Sequence, residues 1–97
     1  MLDLKMLLRR ITSQQEDEKE TLKEAIDELD LEMARRAMLY DLRNDVFDVN
    51  KGNNKYIVSG IEEAEQNINN LESKIKETRE KIAALTYQVE YMMQRNV

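Results

Sequence analysis

The sequence predicts an all-α protein: an antiparallel two-helix coiled-coil hairpin that assembles further into an oligomer. Three observations carry this expectation. The 97-residue chain has no proline and only two glycines, Gly52 and Gly60, so little in it interrupts a helix. An unbroken three–four spacing of apolar residues runs from Ile61 to Met92. One cluster of turn residues, Lys51-Gly52-Asn53-Asn54, lies near the middle of the chain. The chain therefore reads as one helical-hairpin domain, with a first helix over about 3–46, a joint over about 47–59 and a second helix over about 60–95.

The first helix is the less regular arm. Leu4, Leu8, Ile11, Leu22, Ala25 and Leu29 fit one heptad frame, with Gln15 and Glu18 at the core positions between them. Ser13-Gln14-Gln15-Glu16 has the form of a capping box, which predicts a break or kink near Thr12-Ser13. After Leu29 the apolar stripe is expected to step on by four, to Met33, Ala37 and Tyr40, a stutter that locally unwinds a coiled coil. A second stripe, Leu31, Met38, Leu39, Leu42 and Val46, runs beside it. One neighbouring helix cannot cover both stripes, so residues 29–49 are expected to meet more than one partner.

Two conformations compete at the joint. Val46-Phe47-Asp48-Val49 and Lys55-Tyr56-Ile57-Val58 are rich in β-branched and aromatic residues, which suits a short β-hairpin over about 46–58. An isolated two-stranded hairpin is marginal in water and would need a covering partner. The favoured alternative is a plain helix–loop–helix with Asn53 or Asn54 as N-cap, and Ile57 does fall in the heptad phase.

The second helix carries the best signal. With Ile61 at position a, the a positions read Ile61, Ile68, Ile75, Ile82 and Val89, and the d positions Ala64, Leu71, Thr78, Leu85 and Met92. β-Branched residues at a with leucine at d suit two-stranded packing. Ser59-Gly60-Ile61-Glu62 is a further capping-box pattern and sets the expected start near Gly60. The expected core is Ile61, Ile68, Leu71, Ile75, Ile82, Leu85, Val89 and Met92 from this helix, with Leu22 and Leu29 from the first.

Charge bears on how the arms pair. Residues 16–32 hold nine acids against two lysines, and residues 72–88 hold Lys74, Lys76, Arg79 and Lys81 against three glutamates. Folding at Gly52 sets these stretches side by side, with Lys74 and Lys81 at flanking positions. A parallel pairing of two second helices would instead oppose Lys74 to Arg79. Each such pair is worth only ~0.3–1 kcal/mol, but together they favour the antiparallel hairpin. That hairpin brings Leu4, Leu7, Leu8 and Ile11 near Tyr91 and Met93, so its end is apolar on more than one side. These six residues, with Leu31, Met38, Leu42 and Val46, are the candidates for binding a partner. Leu4, Leu7, Leu8 and Ile11 also have the spacing of a membrane-surface helix, although a packed helix end is the simpler reading.

The composition excludes several function classes. With no cysteine and no histidine there is no disulfide, thiolate zinc site or Ser-His nucleophile. No catalytic, cofactor or metal site is expected, and the chain is read as non-enzymatic. No apolar run approaches a membrane span, and the first residues are too charged for a secretory signal, which predicts a cytoplasmic or virion-associated location. A formal net charge of −5 argues against a general nucleic-acid binder. Protein partners remain, in a structural, scaffold or adaptor role of the kind filled by small viral structural proteins.

Two resemblances stand beside this reading. Met1-Leu2-Asp3-Leu4-Lys5 followed by Leu7 and Leu8, with Glu28-Leu29-Asp30 and Arg35-Arg36 later, resembles the N-terminal arm of bacterial seryl-tRNA synthetases. That resemblance implies an antiparallel coiled coil gripping the long variable arm of a tRNA, although Asp45–Asn50 stands where the family has an asparagine- and serine-bearing segment. With a β joint, the layout is also similar to the β-type subunit of prefoldin, which implies a holdase chaperone.

Overall fold

The computed structural model describes residues 3–44 and 54–95. They form a helical hairpin of two long helices, α1 (Leu4–Arg43) and α2 (Lys55–Gln94), each of 40 residues. There is no strand among the described residues.

Asp3 caps α1: its Oδ1 accepts the Met6 N–H at 2.9 Å, satisfying one of the orphan donors of the first turn. The expected break near Thr12-Ser13 is absent. The helix runs through both residues, and the Thr12 hydroxyl donates back to the Leu8 carbonyl at 2.8 Å, so the capping-box pattern goes unused. At the other end the Asn44 N–H still reaches the Tyr40 carbonyl at 3.0 Å; α1 is described to Arg43, and the expected end at 46 lies outside the described residues.

α2 begins five residues before the expected Gly60. Asn54 is its cap, with Oδ1 accepting the Tyr56 N–H at 2.8 Å and its carbonyl accepting from Ile57 and Val58 at 3.0 and 3.1 Å. Lys55–Val58 are therefore helical, and the β-hairpin loses its second strand. The asparagine cap outcompetes local β propensity because it satisfies first-turn amides at once. Residues 46–53 of the expected joint, Val46 included, lie outside the described residues. Gly60 serves close packing instead of initiation. A Cβ added there would sit 3.1 Å from Leu39 Cδ1, so the missing side chain lets α1 approach.

The chain divides into two compact units, residues 1–24 with 74–97 and residues 25–73. In the first unit α1 and α2 run antiparallel. Gln15 Nε2 donates to Thr86 Oγ1 at 3.0 Å, and Leu4, Leu7 and Ile11 share a groove with Tyr87, Tyr91 and Met92. Ile11, Ile75, Thr78 and Met92 are its buried residues. In the second unit the helices are again antiparallel, with Leu39 against Gly60 and Arg35 bridging to Glu63 at 3.4 Å. Ala25, Leu39, Ile61, Ala64 and Ile68 are buried there.

On α2 between Ile61 and Met92, every heptad a and d residue is buried or half-buried, and only Glu65, Asn67 and Thr86 join them. On α1 the residues withdrawn from solvent include Leu8, Ile11, Gln15, Glu18, Leu22, Ala25, Leu29, Glu32, Arg36 and Leu39. That is one unbroken three–four sequence, so the expected stutter to Met33 and Ala37 does not occur and both are exposed. The helix keeps its frame because α2 offers a continuous apolar row, and a one-residue change of phase would turn Ala25, Leu29 and Leu39 away from it.

Candidate interaction surfaces

In the second unit three exposed apolar residues of α1 form a row, with Met33 exposed off it. Leu31, Met38 and Leu42 are separated by seven and four residues, so they share one helical flank. Leu31 is 71% exposed and Met38 54%. Leu39, placed in the same stripe by the sequence, is instead buried against Gly60. Beside Leu31 lies a shallow groove of about 410 Å³, lined by Glu28, Leu31, Glu32, Asn67, Asn70 and Leu71. Within the flank, Arg35 Nη1 is shared between Glu32 and Glu63, at 3.4 Å from each. The pairs are half-exposed and worth at most ~1 kcal/mol each, yet they neutralise the arginine.

The opposite flank of the same unit differs in charge. Asp30, Glu62 and Glu72 are exposed there, with Lys55 as a counterweight, whereas Asp27 lies four residues before Leu31 on the Leu31 flank. The Tyr40 hydroxyl donates to Glu65, and the Arg43 guanidinium stacks over the Tyr40 ring at 4.6 Å. Donation to that carboxylate, helped by partial burial and by the Glu65 charge, raises the Tyr40 pKa above the ordinary tyrosine value.

In the first unit the end bearing Leu4 and Met92 is apolar. Leu4, Leu7, Ile11, Tyr87, Gln88, Tyr91 and Met92 line a groove of about 500 Å³. Ile11 and Met92 form its buried floor and Leu8 is half-buried, while Leu4, Leu7, Tyr87, Tyr91 and Met93 are exposed. Met6, which the heptad reading passed over, is 60% exposed on the outer face of α1. Tyr87 was equally outside the heptad frame. The signal for both was present only as apolar residues off the core row near an apolar helix end.

The expected core residues are placed as follows. Ile61, Ile68, Ile75 and Met92 are buried, while Leu22, Leu29, Leu71, Ile82, Leu85 and Val89 are half-buried. Gln15, Glu18, Glu32 and Arg36 share the α1 row with the apolar residues. The expected pairing of the acidic stretch with Lys74 and Lys81 is not made by contact. Among the described residues the ion pairs are Glu16–Lys19, Glu32–Arg35 and Arg35–Glu63, and both lysines are exposed. The alignment follows the packed row and not the charges on its rim.

The double arginine behind the tRNA-arm resemblance is committed elsewhere, with Arg35 held by two carboxylates and Arg36 half-buried. The prefoldin-like layout lacks a strand at Lys55–Val58. No helix among the described residues is long and apolar enough to cross a membrane. Comparison of the chain with family models, with curated proteins and with solved structures found no match.

Proposed function

We propose that this chain is a non-enzymatic assembly protein, a helical hairpin that joins other protein chains, its own copies included, through the Leu31–Met38–Leu42 flank. The observation that carries the reading is that row of exposed apolar side chains outside the packed seam. A lone exposed leucine has no significance, but a row at helical spacing is what another helix packs against. Charge there is partly neutralised: Arg35 pairs with Glu32 and Glu63, leaving Asp27 and Glu28 as the exposed acids nearest Leu31.

Light scattering after gel filtration tests this. The full chain is expected at a multiple of 11.5 kDa, or in a complex recovered from its host. The triple variant Leu31→Ser, Met38→Ser, Leu42→Ser should keep its helicity and run as a monomer without that complex. A wild-type monomer that captures nothing, or a variant that assembles as well as the wild type, overturns the proposal.

A further inference from the structure

We infer that the Leu4/Met92 end of the first unit is a peripheral docking site for an anionic lipid surface. The argument rests on how the apolar groups are distributed and on the charges among them. Leu7 and Tyr91 border the groove, whereas Met6 and Met93, 60% and 63% exposed, lie off it on the outer face of α1 and the opposite flank of α2. A docking helix would cover one side of this end and leave the others wet. A soft planar interface takes all of them together, because acyl chains and headgroups conform to whatever enters.

The charges match such a surface. Lys5, Arg9, Arg10 and Arg95 stand against Asp3 and Glu90, a local balance of +2 in a chain of net charge −5. All four cations are exposed, and none forms an ion pair among the described residues. Arg95 lies over the Tyr91 ring, 5.0 Å from its centroid. Asp3 is occupied as the α1 cap. Long basic side chains can lay their stems on apolar surface and hold their charges at phosphate level, and tyrosine places an apolar ring and a polar tip at the same boundary. The acidic stretch of α1 starts at Glu16, roughly 18 Å along the helix from Leu4 and about two screening lengths away at physiological salt. Docked end-on, the surface meets the basic end and is screened from the acids. The four-residue rhythm of Leu4, Leu7, Leu8 and Ile11 is thus divided: Ile11 packs inward while Leu4 and Leu7 remain outside.

Sedimentation of the full-length protein with vesicles tests this. Phosphatidylcholine vesicles are compared with vesicles in which about a third of the lipid is phosphatidylglycerol, at low and at high salt. The expected result is binding to the anionic vesicles only, falling at least fivefold at high salt. Arg9→Glu with Arg10→Glu should abolish it. Met6→Ser with Met93→Ser should weaken it at least fivefold, with helicity and thermal midpoint unchanged because all four residues are exposed. The Leu31, Met38, Leu42 serine variant should bind as the wild type does, which separates this site from the assembly flank. Absence of wild-type binding at low salt overturns the inference, as does binding indifferent to both pairs of substitutions. A wild type that ignores vesicles but loses self-association on Met6→Ser with Met93→Ser has a protein interface at this end, and the inference then also fails.

Discussion

The two helices use one heptad frame with different side chains. α2 fills it from Ile61 to Met92 with aliphatic residues, methionine and one threonine, and Thr78 is still only 4% exposed. α1 fills it with leucines, alanine and isoleucine interrupted by Gln15, Glu18, Glu32 and Arg36, none of them fully buried. The difference shows that one helix of a pair can set the frame for both. An aliphatic row on α2 rewards any α1 phase that presents Ile11, Ala25 and Leu39, and the polar residues caught in that phase stay half-wet or find a partner. Gln15 does so through Thr86, and Glu32 through Arg35. A buried residue of the α2 type contributes ~1.5–3 kcal/mol. A half-wet polar residue in the seam contributes far less and mainly costs nothing.

That asymmetry can be broken or sharpened by measurement. The largest effect is expected from Ile75→Asp with Ile82→Asp, which sets two carboxylates in the aliphatic row without partners. The cooperative thermal transition seen by circular dichroism should disappear, whereas its survival would show that α2 does not set the frame. Next in size, Ile68→Ala should cost about 2–4 kcal/mol in urea unfolding, and Leu22→Ala, half-buried on α1, about 1–2 kcal/mol. Equal costs would erase the contrast between the helices. Glu18→Leu should stabilise the fold by ~0.5–1 kcal/mol, because it places an apolar side chain in a half-buried seam position. A loss there would mean that the carboxylate has a structural partner.

The smallest effect concerns pH. Hydrogen bonding to Glu65 raises the folded-state pKa of Tyr40, so the neutral hydroxyl is favoured in the folded protein. Its contribution is fully present below the unfolded tyrosine value and is lost as pH rises through the folded one. In an absorbance titration, one of the four tyrosines should ionise later than the rest. Tyr40→Phe should remove that late component and leave the curve below it unchanged.

Several features were legible in the residues alone. The α2 row was readable because its spacing is carried by apolar residues at every a and d position but Thr78, a signal local to one helix. The antiparallel arrangement of the arms was expected from a turn cluster between two helical stretches and from charge, but among the described residues the charge pairs with Lys74 and Lys81 are not made. The α1 frame beyond Leu29 was not legible. Glu32 and Arg36 look like surface residues, and Met33 and Ala37 looked like the better core, so composition pointed to the wrong phase. The start of α2 was legible only as alternatives: Ser59 and Asn54 are both competent caps, and the structure bears out the helix–loop–helix reading with Asn54 over the start near Gly60.

Sequence by itself therefore determined that the chain is helical, that α2 has one apolar row, and that acids crowd α1 over residues 16–32. Periodicity and charge are properties of consecutive residues, and they need no neighbour to be read. Tertiary structure decided which α1 residues meet that row, that Gly60 is a point of close approach to Leu39, and that Leu31, Met38, Met6 and Met93 are left outside. Burial is a property of pairs of surfaces. A methionine on one helix is core or exposed only once the other helix has chosen a side.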